Sequence, residues 1–284
     1  MLIRLATIAL ALVTFAAPSV RAELQLPRVS QKGTVSQTIG LTDVTLVYSR
    51  PGVKTRTIWG ELVPYDKPWR TGANEATTFT VTDEIQVEGK KLPAGTYSFF
   101  TIPGKDEWTV VFSKQKELWG AYEYKPEEDA LRVTVKPQPA GHEEWMQLAF
   151  ENLTPNSAEL HLRWEKLDLP VRLQADVTNR VLADARREIA AAKSDDWRTP
   201  YRAAGYLNDN DLNLDEAMTW AKKSVAIDAN YGNLSLLAKL QQKEGKTKDA
   251  IVTAQKAIAA GKASKDKVDT APTEKLMAEW QAKK

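Results

Sequence analysis

The stretch TYSFFTIPGKDEWTVVF, residues 96–112, determines the fold class. Two runs rich in Thr, Phe, Val and Trp, 96–102 and 108–112, flank the turn signal Pro-Gly-Lys-Asp at 103–106. No helix-length segment lies between these runs, so they predict two adjacent antiparallel strands joined by a hairpin.

The same pattern extends in both directions, from about residue 34 to residue 173. Short runs of β-branched and aromatic residues alternate with turn signals, and no helical periodicity interrupts them. The predicted strands are 34–39, 44–48, 77–81, 85–87, 96–102, 108–112, 131–135, 146–150, 160–164 and 171–173. Many short strands in succession predict a mainly antiparallel β-sandwich, which we assign to residues 23–175.

The composition changes after Asp176, where the chain becomes rich in Ala, Leu and Lys. Residues 177–193 place Val181, Leu182, Ala185 and Ile189 on one helical face. We therefore predict an all-α region over residues 176–284, with 177–193 and 273–281 as flanking helices.

The all-α region contains an internal repeat. NLDEAMTWAKKSVAIDAN (213–230) aligns with KTKDAIVTAQKAIAAGKA (246–263) at an offset of 33 residues, so that Ala217 matches Ala250 and Ala221 matches Ala254. This pattern resembles the tetratricopeptide repeat. The resemblance implies a scaffold for a protein partner; the alternative is a small helical bundle that only buttresses the sandwich.

The N-terminus resembles a secretory signal peptide. Arg4 precedes an apolar run that is too short to span a bilayer, and small residues stand before a cleavage point after Ala22. We predict that residues 1–22 are removed and that the protein is periplasmic or secreted, without stable membrane insertion. The chain has no cysteine, which favours a bacterial periplasm over a eukaryotic secretory route.

Composition also excludes several functions. The formal net charge of +2 includes Arg4 and Arg21 of the signal, so the mature chain is close to neutral. It therefore lacks the excess of basic residues that is typical of nucleic-acid-binding proteins. No glycine-rich phosphate loop occurs, so no cofactor is predicted. His142 and His161 lack partners at metal-ligand spacing, and we predict no metal site and no catalytic histidine.

The most unusual stretch is YDKPWRTGANEAT, residues 65–77. One interpretation is a structural tie, in which Gly72 permits a tight reversal and a charge-assisted bond joins the flanking Arg70 and Glu75. The other is a ligand-binding site, in which Arg70 contacts an anionic group, Asn74 and Glu75 bind hydroxyls, and Trp69 forms a stacking wall beside Tyr65. The sequence leaves both interpretations open.

Two interpretations are possible for the role of three tryptophans in loop-like segments, Trp59, Trp69 and Trp119. Exposed aromatic rings beside amides and carboxylates are typical of a sugar-binding surface. Alternatively, the three rings plug one end of the sandwich.

The segments IWGELVPYDKPWRTGANEATTF (58–79) and KLPAGTYSFFTIPGKDEWTVVFSK (91–114) resemble a bacterial domain of unknown function family, number 2911. The resemblance continues through EYKPEEDALRVTVKP and LHLRWEKLDLPVRL, to residue 173. It implies an exported bacterial protein with a β-rich domain, followed in some members by helical repeats. It implies no activity.

Two functional hypotheses follow from the sequence. The favoured one is a non-catalytic module that binds a glycan or peptide at the sandwich loop, or a protein partner on the helical repeats. The alternative is a periplasmic hydrolase that acts on glycan or peptide, with Glu75 as acid or base and Arg70 as electrostatic anchor. The alternative requires a second titratable group, such as Asp66, Glu61 or His142, close to Glu75.

Overall fold

The structure is a computed structural model that describes residues 26–116 and 118–282. The predicted signal peptide, residues 1–22, lies outside the described residues. Ten strands form the N-terminal part and six helices follow, so the predicted order of a β-sandwich and an all-α region is confirmed.

The strands are β1 (Gln31–Ile39), β2 (Thr42–Arg50), β3 (Thr77–Val81), β4 (Ile85–Val87), β5 (Lys90–Leu92), β6 (Gly95–Ile102), β7 (Trp108–Ser113), β8 (Asp129–Val135), β9 (Gln138–Glu151) and β10 (Ser157–Ala175). One turn of 3₁₀ helix, Pro126–Glu128, precedes β8. The helices are α1 (Val177–Ala191), α2 (Arg198–Asp209), α3 (Leu214–Ile227), α4 (Tyr231–Lys243), α5 (Thr247–Ala263) and α6 (Ala271–Ala282).

The strands form two antiparallel sheets, ordered β1-β2-β3-β6-β7-β8 and β5-β4-β10-β9. Period-two alternation explains how each sheet buries one face: in β2, Thr42, Val44, Leu46 and Tyr48 are buried while the residues between them are mostly more exposed. Side chains from both sheets share one hydrophobic core, in which Phe79, Phe99 and Phe112 pack against one another.

The second sheet differs from the sequence prediction in strand length. The predicted runs 160–164 and 171–173 belong to the single 19-residue strand β10, and β9 begins at Gln138 rather than at residue 146. The register between β9 and β10 shifts on both sides of Glu165, which has a φ of 58°. A bulge of this kind lets a strand bend without ending, and its polar residues therefore resemble a turn in the sequence.

The helices follow the predicted repeat spacing. Helices α4 and α5 begin 33 residues after α2 and α3, respectively. The matched small residues Ala217, Ala221, Ala250 and Ala254 are fully buried, which allows neighbouring helices to approach closely. No described helix is long and apolar enough to cross a membrane.

Helix α1 supplies contacts between the helical part and the sandwich. Asp176, directly after β10, caps α1 by accepting a hydrogen bond from the backbone N–H of Asn179 at 3.1 Å. Val177 packs against the sandwich core beside Gly40, and Arg180 forms an ion pair with Asp83.

Candidate functional site

The loop between β2 and β3, residues 51–76, contains the unusual stretch and is docked on β6. The backbone N–H of Trp69 donates to the Thr101 carbonyl at 2.7 Å, and the N–H of Thr101 donates back to Trp69 at 2.9 Å. The Asp66 N–H donates to the Pro103 carbonyl at 2.8 Å. These bonds form an isolated antiparallel bridge that attaches the loop to β6.

The reversal after Trp69 is a strained turn whose central residues, Thr71 and Gly72, are buried. Thr71 is β-branched and nevertheless has a φ of 52°, a conformation that such residues rarely adopt. Gly72 has a φ of 155°, and a Cβ there would lie 2.9 Å from the Ser49 carbonyl oxygen. The hydroxyl of Thr77 donates to the Thr71 carbonyl at 2.6 Å. Backbone strain maintained in this way is often found at functional sites.

The tryptophans of this region plug the sandwich. Trp69 is only 9% exposed, stacks on Trp164 with ring centroids 5.7 Å apart, and meets Trp59 edge-on at 5.9 Å. Its Nε1 donates to the Gly72 carbonyl at 3.1 Å. The plug interpretation therefore describes Trp59 and Trp69, whereas Trp119 is 61% exposed and remains open to solvent.

The side chain of Arg70 is half-buried and has no acceptor among residues 26–116 and 118–282. Its Nε is buried without a hydrogen-bond partner, and no ion pair of the guanidinium is found within the described residues. Burial lowers the pKa of Arg70, while the nearby Tyr122 acts in the opposite direction. The bond to Glu75 that the structural-tie interpretation requires is not formed.

Arg70 lines a cleft of about 210 Å³. Trp69 and Trp164 also line it, and the buried Nε1 of Trp164 is a second donor without an acceptor in the described chain. Lys54 and Arg56 add positive charge, and no acidic residue lines the cleft within the described part of the protein. Three cationic residues thus line one small cavity, and two of its lining residues, Arg70 and Trp164, carry a buried N–H donor without a partner in the described residues.

The other predicted site residues lie outside this cleft. Glu75 is exposed and its two carboxylate oxygens accept hydrogen bonds from Arg28 at 2.6 and 2.7 Å, which lowers the pKa of Glu75. The Asn74 amide donates to the Ser30 carbonyl at 3.1 Å. Tyr65 is half-buried and packs its ring against Gly60.

Arg28 and Ser30 belong to residues 26–30, which we call the N-terminal strap. The guanidinium of Arg28 lies 5.9 Å from the centre of the exposed Trp119 ring, and Val29 and Ser30 line the cleft. The sequence contains no signal for this contact, because the bonded residues are 47 and 44 positions apart in the chain.

The two histidines have separate surroundings. His142 is exposed beside Glu144, with 3.6 Å between Nε2 and the carboxylate. His161 is buried, and its Nδ1 lies 2.9 Å from both oxygens of Asp168. Within residues 26–116 and 118–282, no group of three or more His, Asp or Glu side chains could hold a metal ion.

Comparison with protein-family models assigns the chain to a family. A family model described as "Protein of unknown function (DUF2911)" matches residues 30–173, which is just over half of the chain. The chain belongs to the DUF2911 family. The matched segment contains the whole unusual stretch and all residues that line the Arg70 cleft except Val29. No curated protein and no solved structure matches the chain.

Proposed function

We propose that this protein is an exported, non-catalytic binding protein whose DUF2911 domain binds a small anionic ligand in the cleft at Arg70. One observation carries the proposal: Arg70 and Trp164 line the same cleft, and each has a buried N–H donor, Nε and Nε1, without an acceptor in the described chain. Buried donors in native proteins almost always have partners. We therefore infer that a bound ligand supplies the acceptor that the described residues lack.

The charge of the cleft favours an anion as that acceptor. Arginine stays protonated at neutral pH and presents a planar fork that matches carboxylate and phosphate oxygens. Lys54 and Arg56 add two cations to the lining of the cleft. A cavity of about 210 Å³ accommodates a carboxylate or phosphate group with a few attached atoms, rather than a whole cofactor.

Export remains part of the proposal. It is supported by the signal-like sequence of residues 1–22 and by the absence of cysteine, which makes folding independent of the redox compartment. A periplasmic or secreted location exposes the cleft to small solutes, glycan fragments and peptides, all of which include carboxylate-bearing members.

The hydrolase alternative is not adopted. Its proposed acid or base, Glu75, is engaged by both of its oxygens with Arg28, and its pKa is lowered rather than raised. No hydrogen bond or ion pair joins Glu75 to Asp66, Glu61 or His142 in the described residues. A general acid needs a raised pKa and a partner group within reach.

A protein partner on the helical repeats stays a prediction. The groove between α2, α4 and α6, of about 270 Å³, is the place where such a partner would lie. Its lining includes Tyr201, Tyr231 and Lys239, together with Gly205, where an added Cβ would meet no atom within 4 Å.

The anion proposal is tested by NMR titration of the mature protein with sodium acetate and with sodium phosphate. Hydrogen-bond formation moves an N–H proton downfield, so both the Arg70 Nε–H and the Trp164 indole N–H resonances should shift and saturate. Arg70→Gln should abolish saturation. The exposed Arg172 provides the control, because Arg172→Gln lies outside the cleft and should bind like the wild type.

Two results would overturn the proposal. In the first, neither anion shifts the two resonances, and the donors are satisfied by water alone. In the second, Arg172→Gln weakens binding as much as Arg70→Gln, which indicates nonspecific attraction to the protein surface. A preference between acetate and phosphate identifies the anionic group that the cleft selects.

A further inference from the structure

A second cleft of about 340 Å³ adjoins the first one. It is lined by Val29, Gln31, Arg50 and Trp145, and Val29 of the strap lines both clefts. A backbone bridge between Gly52, which lines the first cleft, and Trp145, which lines the second, holds the two walls together. Val29 thus stands at the junction of two neighbouring cavities.

The second cleft has its own unused cation. The Nε of Arg50 donates to the Met146 carbonyl at 2.9 Å, which fixes the direction of the guanidinium. The terminal nitrogens of Arg50 form no hydrogen bond or ion pair within the described residues. The Arg50 side chain therefore resembles that of Arg70, because its terminal guanidinium nitrogens have no partner in the described residues.

An exposed aromatic ring and a lysine also line the two clefts. Trp145 is 42% exposed, and the Lys54 Nζ lies 5.8 Å from the centre of its ring. Lys54 is exposed and also lines the first cleft. The neighbouring acid is Glu144, which accepts a hydrogen bond from the Lys54 backbone at 3.0 Å and faces His142. Positive charge prevails over this single carboxylate.

We propose that the two clefts form one elongated site for a small ligand with two anionic groups, one at Arg70 and one at Arg50. This inference rests on the proposed function, since it takes anion binding at Arg70 as its first half. The apolar or ring portion of the ligand passes Val29 and lies against the Trp145 indole. A dicarboxylate and a sugar bisphosphate share this chemistry.

Two linked anionic groups should bind more tightly than one because the second contact becomes intramolecular. The advantage depends on the length of the linker, with an optimum where the linker matches the separation of the two arginines. Attraction of a dianion to a positive surface has no such optimum. Length dependence therefore distinguishes the elongated site from general electrostatic attraction.

The experiment is a calorimetric titration of the mature protein with straight-chain α,ω-dicarboxylates of increasing length. Each is compared with the monocarboxylate of equal length, and a hexose bisphosphate is compared with the hexose monophosphate. One member of a series should bind about tenfold or more tightly than its single-anion partner. Arg50→Gln and Arg70→Gln should each reduce that member to the single-anion level, and Arg172→Gln should not.

Val29→Trp supplies a variant that leaves both arginines in place. A large ring at the junction should remove the advantage of the dianion while monocarboxylate binding at Arg70 persists. Circular dichroism establishes that each variant is folded.

The outcomes separate the two proposals. If acetate and phosphate bind at Arg70 but no dianion binds more tightly, or if Arg50→Gln has no effect, the elongated site is wrong and the single anion site stands. If no anion binds at Arg70, the proposed function fails together with this extension. If only the dicarboxylates bind tightly, the ligand carries carboxylates; if only the hexose bisphosphate binds tightly, it carries phosphates.

Discussion

Arg70 and Arg163 are both partly buried arginines of the same sandwich, and their surroundings are opposite. Arg163 donates two parallel hydrogen bonds to Glu151 at 2.6 and 2.7 Å and one to Asp168 at 3.1 Å. Its pKa is raised, chiefly by the bond to Glu151, whereas burial lowers the pKa of Arg70. Arg163 is a structural tie between β9 and β10, whereas the Arg70 guanidinium has no hydrogen-bond partner or ion pair within the described residues.

The largest expected effect in this comparison is the loss of the Arg163 network. Arg163→Met leaves the Glu151 and Asp168 carboxylates without their cation on a partly buried sheet face. We expect the free energy of unfolding to fall by about 2 kcal/mol. Urea denaturation followed by tryptophan fluorescence measures this change. Arg163→Lys should recover part of the loss, since it restores the charge but not the paired geometry. If the free energy of unfolding of Arg163→Met differs from that of the wild type by less than about 0.5 kcal/mol, Arg163 is not a structural tie.

The pH dependence of that loss sharpens the comparison. The bond from Arg163 holds the pKa of Glu151 below its ordinary value of 4.5. A carboxyl whose folded pKa is lowered contributes stability above the unfolded pKa and loses it as the pH falls through the folded pKa. The difference between the wild type and Arg163→Met should therefore shrink as the pH falls below 4.5. Urea titrations at several pH values test this, and a constant difference would contradict the assigned ion pair.

Arg70→Met should have a much smaller effect on stability. Removing a partly buried charge that has no partner also removes its desolvation cost, and the Met side chain retains most of the apolar contact. We expect the free energy of unfolding to stay within about 1 kcal/mol of the wild type. Glu117 lies outside the described residues, so the free energy of unfolding of a Glu117→Gln variant is measured together with that of Arg70→Met. A loss as large as that of Arg163→Met would make Arg70 a structural tie.

The sequence predicted the sandwich because period-two alternation and turn signals are local. It could not predict that residues 160–164 and 171–173 form one strand, since the bulge at Glu165 depends on pairing with β9. Burial of Trp69 was equally hidden: its loop has no periodicity, and the contact with Trp164 joins residues far apart in the chain. Local reasoning therefore found the strands and missed the contacts that order the loop.

The candidate site divides in the same way. Arg70 was identified from its unusual loop composition, and the structure places it in a cleft. The carboxylate partner assigned to it, Glu75, instead binds Arg28 of the strap. Arg50 and Trp145 carried no distinguishing sequence signal, because one ends a regular strand and the other lies within one. Their proximity to the cleft is produced by the sheet topology alone.

The smallest expected effect concerns another arginine–carboxylate pair, Arg28 with Glu75, in which a single guanidinium nitrogen, Nη1, donates to both oxygens. Both side chains are about half exposed, at 55% and 51%, so water and salt screen the attraction that is stronger around Arg163. Arg28→Gln should leave global unfolding nearly unchanged and loosen the strap, which then keeps its bond from Asn74 to Ser30.

Hydrogen exchange measures this loosening directly. In Arg28→Gln, backbone amides of residues 26–30 should exchange faster, while those of β6 and β10 should be unaffected. The Asn74→Ala variant provides the matched test, since it removes the other tie of the strap and should have a similar local effect. Unchanged exchange when Arg28→Gln and Asn74→Ala are combined would contradict the assignment of these two bonds as the ties of the strap. A stability loss like that of Arg163→Met would show that exposure does not distinguish the two pairs.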